Sequence, residues 1–461
     1  MADPDKKPLL RALNKLMIQD VPAYANRLFY SLGFLSMTCF MLLVFTGIVL
    51  AIGGPDWWLT NGAGKFFRSI HLWATQAFVL FVILHLIIVF FTSGFRKPRR
   101  LTWIFGALMF FFVLAEAEFG YVLRGDFSSQ WRALQGADLY NGTGIGNWLN
   151  NLNYQQIYGI HLVLIPALIV VLLFFHYLLV RVLGIAKPYR ADVQVPTVKA
   201  NHRRLFARGG VLIGLIVLLA VVFPSPFLKP ETAKSIAQAD PKLVAQTLVK
   251  EFDHSSDTAT YLDSIDPYRY DSRAIYVEQP YAKLVALKRQ PNLLQSYTAE
   301  PQAVQDAQLK QTQDYFDNTY PAKPDPSNPL EMVISSLTDM AAAGFYEPSL
   351  TASNPNGDQT TYAIRFLADT GVLGDRAQAL NMTTEQYGML REEAGRIPPG
   401  AWWLAPIGLL NHTVLAHDEN GDRDGAIIMG SSLLLLIAFP FIPGLNKLPD
   451  KLRVYKLIWR R

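Results

Sequence analysis

Four histidines in the N-terminal part of the chain have the type and spacing needed to bind metal. His71 and His85 stand fourteen positions apart in one apolar segment, and His161 and His176 stand fifteen apart in another. Histidine inside a membrane segment is costly and is usually functional. These spacings bring the side chain back to within about 60° of its starting direction and separate the two imidazoles by about 21–23 Å along a helix. The pattern predicts two helices that together ligate two haem irons, with one histidine from each helix on each iron.

The rest of the chain supplies apolar segments that are long enough to position these histidines in a membrane. Of the 461 residues, 51% are hydrophobic and 12% are aromatic. Six segments are long enough to cross a bilayer. They lie near 29–52, 70–92, 101–122, 157–184, 209–227 and 426–444. We therefore predict an all-α membrane protein built on a four-helix di-haem transmembrane bundle, with two further transmembrane helices that flank a soluble domain.

Clusters of lysine and arginine predict the orientation of these helices. The clusters precede the first helix, separate the second from the third and the fourth from the fifth, and follow the sixth. If the helices alternate in direction, all four clusters lie on one side, and the positive-inside rule makes that side cytoplasmic. Both chain termini are then cytoplasmic. The net charge of +5 reflects this topology, so it does not predict a nucleic-acid partner.

Composition divides the chain into four predicted regions. Residues 1–190 form the di-haem bundle with an amphipathic N-terminal segment, and 191–227 form a cytoplasmic loop and the fifth helix. Residues 228–425, with 27 acidic and 16 basic side chains, form an extracytoplasmic domain that reads as mostly helical with Pro- and Asn-rich turns. Residues 426–461 form the sixth helix and a basic cytoplasmic tail.

Cysteine content limits how a cofactor can be attached. Cys39 is the only cysteine and lies within the first apolar segment. A Cys-x-x-Cys-His haem attachment or a four-cysteine iron–sulfur site is therefore excluded within this chain. We expect haem to be held by imidazole alone.

A set of ordered motifs makes the chain from Val21 to about Pro188 resemble the haem-bearing N-terminal half of cytochrome b from quinol-oxidising bc-type complexes. It looks most like the split form of plastids and cyanobacteria, whose histidine spacings are also 14 and 15. The motifs are FYSLG…TCF, RSIH…ILH, TSGFRKPRRLTW, GY…D…W and IYGIH…H…R. The resemblance implies two non-covalent haem b groups, quinone or quinol as the reaction partner, and an energy-conserving membrane such as a bacterial plasma membrane.

The resemblance also implies how the four histidines pair. His71 with His161 would ligate the outer haem, and His85 with His176 the haem on the cytoplasmic side. The predicted topology supports the same pairing, because the second and fourth helices run in the same direction.

Three arginines receive roles from the resemblance. Arg68 and Arg99 match family arginines that meet haem propionates, a role that suits the guanidinium fork. Arg181 matches an arginine near the quinone pocket on the cytoplasmic side. Alternatively, Arg181 is a charge at a helix end that extends to the membrane surface.

Paired glycines occur in the helices that flank the histidine helices. Gly33 and Gly47 are fourteen positions apart, as are Gly106 and Gly120. Glycine lets a flat macrocycle approach the helix backbone, so the spacing favours haem packing over ordinary helix packing.

The sequence departs from the family where the outer quinol pocket would lie. The family form with a covalently tethered haem has a cysteine at the position of Ser31, so we predict no such haem. The family's Leu-Pro-Trp after the third helix is Leu123-Arg124-Gly125 here, and its Pro-Glu-Trp-Tyr tetrad is absent. We therefore expect the outer quinol site to need partner chains.

Two acidic features have weaker interpretations. Glu116 and Glu118 lie near the outer end of the third helix, where they would serve a proton exit path or a quinol headgroup, or else reach the interface or pair with Arg124. The stretch Asn420–Gly425 alternates short polar side chains with glycine as a calcium loop does, but it lacks the EF-hand glutamate, which favours a solvated acidic turn.

Three functions follow from these observations. The first is a di-haem cytochrome b subunit that carries electrons across the membrane between quinone sites in a dimeric bc-type complex. Its implied partners are a Rieske iron–sulfur protein and a further cytochrome or second-half cytochrome b subunit. The second is a di-haem anchor that links a different extracytoplasmic dehydrogenase or reductase to the quinone pool. The third makes 228–425 a docking module that only holds partners together.

Overall fold

The computed structural model describes residues 17–146, 148–187, 195–265, 270–287, 291–353, 361–383, 400–418 and 420–459. Most of the predicted amphipathic segment at 1–20 and the predicted boundary near 190 lie outside the described residues.

Helices dominate the N-terminal half of the described chain. Two three-residue strands, β1 (Asp20–Pro22) and β2 (Thr197–Lys199), pair antiparallel on either side of the four-helix region. Short 3-10 segments occupy Ala23–Asn26 and Leu28–Ser31. The helices are α1 (Leu32–Thr60), α2 (Gly62–Phe91), α3 (Arg100–Val122), α4 (Phe127–Gly142), α5 (Tyr154–Leu183) and α6 (His202–Val222).

Six helices within the described residues are long and apolar enough to cross a membrane, which confirms the all-α membrane fold. Five of them are α1, α2, α3, α5 and α6, and the sixth covers Arg423–Phe441. α6 begins and ends earlier than the apolar run at 209–227. The start of α6 is capped by Asn201, whose side chain accepts from the Arg204 amide at 2.9 Å. The helix ends at Val222, because Pro224 disfavours a helical conformation at the residue before it.

The turn between α1 and α2 is set by local sequence. Gly54 has a φ of 75° inside α1, and Pro55 follows it, so the helix kinks there. The Asn61 side chain then accepts from the Ala63 amide at 2.9 Å and starts α2. This arrangement extends α1 beyond the predicted end near residue 52.

α5 contains a π-helical turn at Ile160–Leu164, which includes His161. Pro166 lies just beyond this turn and cannot donate a backbone hydrogen bond. A local widening of this kind re-aims side chains and is frequent at functional sites.

The described residues fall into two compact units. One, here called the membrane unit, comprises described residues within 1–120, 159–226 and 384–461, and the other, here called the second unit, comprises those within 121–158 and 227–383. α4 therefore clusters with the polar second half of the chain. The Trp131 indole donates to the Met382 carbonyl at 2.8 Å, and the Arg376 guanidinium lies 4.4 Å from the centre of the Phe127 ring.

The second unit is built from short helices around buried aromatic side chains. Tyr276, Tyr281, Tyr346, Phe316 and Phe366 are almost completely buried in it. Two π-helical turns occur at Ala274–Glu278 and Tyr315–Thr319. Its remaining helices are α7 (Ala233–Ala239), α8 (Pro241–Phe252), α9 (Asp257–Ile265), α10 (Gln279–Ala286), α11 (Leu293–Ala299), α12 (Gln302–Asp314), α13 (Pro329–Ala343), α14 (Tyr346–Ser353), α15 (Thr361–Asp369) and α16 (Val372–Ala379).

The C-terminal segment returns to the membrane unit. Phe439 packs with Phe95 and Trp103 in a buried aromatic cluster, and the Trp103 indole donates to the Leu436 carbonyl at 2.9 Å. These contacts join the sixth span to the loop after α2. The helices here are α17 (Ala405–His412), α18 (Gly421–Ala438), α19 (Leu448–Leu452) and α20 (Tyr455–Ile458), with 3-10 segments at Trp402–Leu404, Phe439–Phe441 and Leu445–Lys447.

Candidate haem-binding site

The imidazoles of His71 on α2 and His161 on α5 face each other. Their ring centroids are 6.4 Å apart and their planes cross at 72°. Two metal–nitrogen bonds of about 2 Å place two ligating nitrogens about 4 Å apart on opposite sides of one metal. Because each ring centroid lies beyond its nitrogen, the observed spacing fits two imidazoles that share one iron.

Thr46 holds the His71 ring by its Nδ1 atom. The Thr46 hydroxyl lies 2.8 Å from His71 Nδ1 and also donates to the Leu42 carbonyl at 2.8 Å. With its proton engaged there, the hydroxyl oxygen accepts the N–H of His71. A hydrogen-bonded Nδ1 leaves Nε2 as the nitrogen that binds metal.

Glu116 holds the His161 ring in the same way, with two acceptors. Its backbone carbonyl lies 3.2 Å from His161 Nδ1, and its carboxyl oxygen Oε1 lies 3.0 Å from the same atom. The other carboxyl oxygen, Oε2, is buried and has no hydrogen-bond partner among the described residues. Nε2 of His161 is therefore also the nitrogen available to a metal.

The second histidine pair lies on the same two helices. The Thr102 carbonyl on α3 accepts from His176 Nδ1 at 3.0 Å, and His85 is an electrostatic neighbour of His176. Thr102 precedes Glu116 by fourteen positions, so α3 presents backbone carbonyls to both α5 histidines at nearly the fifteen-residue interval that separates His161 from His176. The geometry thus brings His71 to His161, and the pairing of His85 with His176 on one haem stays a prediction.

Each of the four predicted glycines lies against one imidazole. A Cβ atom at these positions would approach the nearest ring carbon, Cε1, to within van der Waals contact or closer. The distances are 3.2 Å for Gly33 and His85, 3.4 Å for Gly47 and His71, 3.3 Å for Gly106 and His176, and 2.9 Å for Gly120 and His161. The glycines on α1 and α3 therefore make room for the ligand rings. Packing against the haem face stays a prediction.

The predicted arginines are held by backbone carbonyls. Arg68 donates to the Pro226 carbonyl at 2.9 Å. Arg99 donates to the Leu183 and Gly184 carbonyls at 2.7 and 2.6 Å, so it caps the C-terminal end of α5. Arg181 is exposed near that same end. Their contacts with propionates and quinone stay predictions.

The C-terminal end of α3 receives a contact that no motif predicted. The Trp403 indole donates to Glu118 Oε1 at 2.7 Å, and the neighbouring Trp402 indole donates to Gln76 Oε1 on α2 at 2.8 Å. The Gly400 carbonyl accepts from the Gln76 amide at 3.2 Å. The tryptophans lie far from α3 in sequence, so only their adjacency to each other hinted at a shared role.

The acidic stretch before the sixth span begins a helix. α18 starts at Gly421, and Asp424 in its first turn pairs with Arg423 at 2.9 Å. In the part of the chain that the structure describes, no group of three or more His, Cys, Asp or Glu residues is arranged to hold a metal ion. The side chain of Asp422 lies outside the described residues.

Comparison with known proteins identifies the class. Residues 76–232 match the family described as cytochrome b (N-terminal)/b6/petB. Cytochrome b6 of Heliomicrobium gestii is 30% identical over 190 residues, which cover 36% of this chain and 89% of that protein. Cytochrome b6 of Desmonostoc sp. is 30% identical over 193 residues, with 36% and 88% covered. Cytochrome b6 of Chlamydomonas reinhardtii is 29% identical over 194 residues, again with 36% and 88% covered.

The chain belongs to the cytochrome b family, in its split, b6-type form. It is an integral membrane electron-transfer cytochrome b of the bc type, and haem b is the cofactor that this family implies. A chain of a hyperthermophilic respiratory complex III shows a more distant likeness, with a TM-score of 0.37 and 16% identity over 73% of this chain and 92% of that one.

Proposed function

We propose that this chain carries electrons across the membrane between quinone sites, as the di-haem subunit of a bc-type quinol oxidoreductase. The observation that carries the proposal is the facing pair of His71 and His161, whose 6.4 Å centroid spacing fits one shared iron. The matched spacings along α2 and α5 extend the same arrangement to His85 and His176.

The residues of the chain hold and orient two non-covalent haem b groups. Each haem, when bound, supplies a one-electron carrier. Thr46, Glu116 and Thr102 fix the Nδ1 atoms of three ligands, so each ring presents Nε2 towards its partner histidine. Arg68 and Arg99 are the proposed contacts of the haem propionates, because the guanidinium fork suits a carboxylate.

We assign the two quinone sites to opposite ends of the bundle. At the cytoplasmic end, Arg181 is the candidate for the pocket where quinone takes up electrons and cytoplasmic protons. At the outer end, Glu116 is engaged by His161, which leaves Glu118 as this chain's own candidate for accepting a proton. An outer electron acceptor must come from a partner chain.

The proposed arrangement places residues 228–425 outside the cytoplasm and both termini inside. The proposed partners are a Rieske iron–sulfur protein and a further cytochrome or second-half cytochrome b subunit, in a dimeric complex of a bacterial plasma membrane. The support is the distribution of basic residues and the membership in the cytochrome b family.

The test is to purify the complex through an affinity tag on this chain and identify its subunits by mass spectrometry. Stopped-flow absorbance then follows haem b reduction after quinol is added to the oxidised complex. We expect a Rieske protein among the subunits and reduction that outer-site inhibitors block. The isolated chain should show no such inhibitor-sensitive reduction. Co-purification of a molybdenum or nickel enzyme without a Rieske protein would overturn the proposal in favour of a di-haem anchor.

A further inference from the structure

The backbone of α3 makes equivalent contacts with the two histidines of α5, but the α3 side chains at the two positions contact them differently. Gly106 and Gly120 lie against His176 and His161, and the carbonyls of Thr102 and Glu116 accept from the Nδ1 atoms of the same rings. Only at the outer position does the α3 side chain also contact the histidine. Glu116 adds a carboxyl oxygen 3.0 Å from His161 Nδ1, whereas the Thr102 hydroxyl is buried without a hydrogen-bond partner among the described residues.

Within the described residues, the Glu116 carboxyl has His161 as its hydrogen-bond partner. Its second oxygen is buried and makes no hydrogen bond within the described part of the chain, so no other donor there competes for the group. Glu118, two positions further along α3, instead accepts from Trp403. The two carboxyls therefore have different contacts, although they lie on one helix turn.

The α1 side shows the same asymmetry. Thr46 gives His71 a hydroxyl partner, and the position fourteen earlier in the sequence is Leu32, which is apolar and buried. Both outer histidines thus have a side-chain partner at Nδ1, and the equivalent α1 and α3 positions on the cytoplasmic side provide none.

We propose that Glu116 is a positioning residue that lowers the reduction potential of the outer haem relative to the cytoplasm-side haem. An acceptor on Nδ1–H makes the imidazole a stronger electron donor through Nε2. Stronger donation favours ferric over ferrous iron, and hydrogen bonding to the ligand is a lever by which proteins tune haem. A lower potential at the outer end drives electrons inward. The inference rests on the proposed function, because it takes His161 as a haem ligand.

The experiment is a potentiometric titration of both b haems in the intact complex, for the wild type, Glu116→Gln and Glu116→Leu. Glutamine keeps an acceptor oxygen of similar reach, and leucine removes it. We expect the outer-haem midpoint potential to rise in the order wild type, Glu116→Gln, Glu116→Leu. For Glu116→Leu the ferric/ferrous equilibrium should change by about tenfold, which corresponds to about 59 mV for one electron.

Two controls separate tuning from general damage. The cytoplasm-side haem of each variant should keep its potential. Phe111→Leu, at an exposed position of the same helix, should leave both potentials unchanged. Equal potentials in the wild type, Glu116→Gln and Glu116→Leu would overturn the inference. A wild-type complex without an outer haem would instead overturn the proposed function, so the two failures are distinguishable.

Discussion

His71 and His161 are 90 positions apart in the sequence, yet their ring centroids lie 6.4 Å apart and their ring planes cross at 72°. Thr46 fixes the orientation of the His71 ring through its Nδ1 atom, and Glu116 does the same for His161. Such second contacts set the orientation of a metal ligand and are costly to remove. Helices α2 and α5 are therefore paired through imidazoles whose orientations are fixed by neighbouring residues.

Alanine substitution should remove the haems by pair. We expect His71→Ala or His161→Ala to abolish the outer haem and leave the cytoplasm-side haem in place, with the reverse for His85→Ala or His176→Ala. The reason is that each haem needs both of its imidazoles. Low-temperature optical spectra of purified variants, with a redox titration, measure which haem is lost. If His71→Ala and His176→Ala lost the same single haem, the pairing would be wrong.

Glycine replacement should discriminate between two positions that look equivalent in sequence. A Cβ at Gly120 would lie 2.9 Å from the His161 ring, and one at Gly47 would lie 3.4 Å from the His71 ring. Gly120→Ala must therefore displace a ligand, whereas Gly47→Ala makes ordinary contact. We expect Gly120→Ala to weaken outer-haem binding by about tenfold, as loss of ligand orientation commonly does.

Gly47→Ala is the matched control, because it makes the same chemical change beside His71, the proposed partner of His161. Haem content per chain after gel filtration measures the difference. Equal retention of the outer haem in both variants would contradict the close approach at Gly120.

The second unit should lose stability as the pH rises from about 5 to 9. Glu251 is completely buried and accepts from the Ser256 hydroxyl at 2.9 Å. Burial, with the nearby carboxyl of Asp369, raises the pKa of Glu251 to about 9. Between the unfolded and folded pKa values the folded state holds a proton that the unfolded state has lost. The contribution of Glu251 to stability is therefore largest below the unfolded pKa and falls by at most about 1.4 kcal/mol per pH unit through this window.

Pulse proteolysis of the full-length protein in detergent, across pH 6–9, measures this trend in fragments from 227–383. Glu251→Gln, which is neutral at every pH, should flatten the dependence, while Asp306→Asn at an exposed position should leave it unchanged. A wild-type profile as flat as that of Glu251→Gln would show that the buried carboxyl does not titrate with unfolding.

Protease accessibility should report the orientation of the chain. The basic clusters predict that 228–425 lies outside the cytoplasm. Protease added to inside-out vesicles should leave this region intact, and protease that reaches the outer face should cut it. Immunoblotting with tags in the second unit and at the C-terminus distinguishes the two patterns. Cleavage of the second unit in sealed inside-out vesicles would reverse the inner and outer assignments of both haems.

Local patterns in the sequence were sufficient for the membrane helices. Apolar length predicted all six spans, and errors were confined to ends such as that of α6, where Pro224 stops the helix before the apolar run is over. The faces on which the histidines and glycines lie could be predicted from their spacing, because a continuous helix has a fixed periodicity.

Contacts that join distant parts of the chain could not be predicted. The bond from Trp403 to Glu118 and the clustering of α4 with 227–383 depend on tertiary packing, to which a single sequence gives no periodic signal. The role of Glu116 was missed for a related reason. Its charge drew attention to proton transfer, and only the geometry shows that its carboxyl is directed at a histidine.

We expect four imidazoles in this chain to hold two haem b groups without covalent attachment. The most direct measurement is the haem b content per purified chain, from the pyridine haemochrome spectrum and quantitative amino-acid analysis, followed by acid-acetone extraction. We predict two haem b groups per chain, all of which pass into the acetone phase. One haem per chain, or haem that stays on the polypeptide after extraction, would contradict the account.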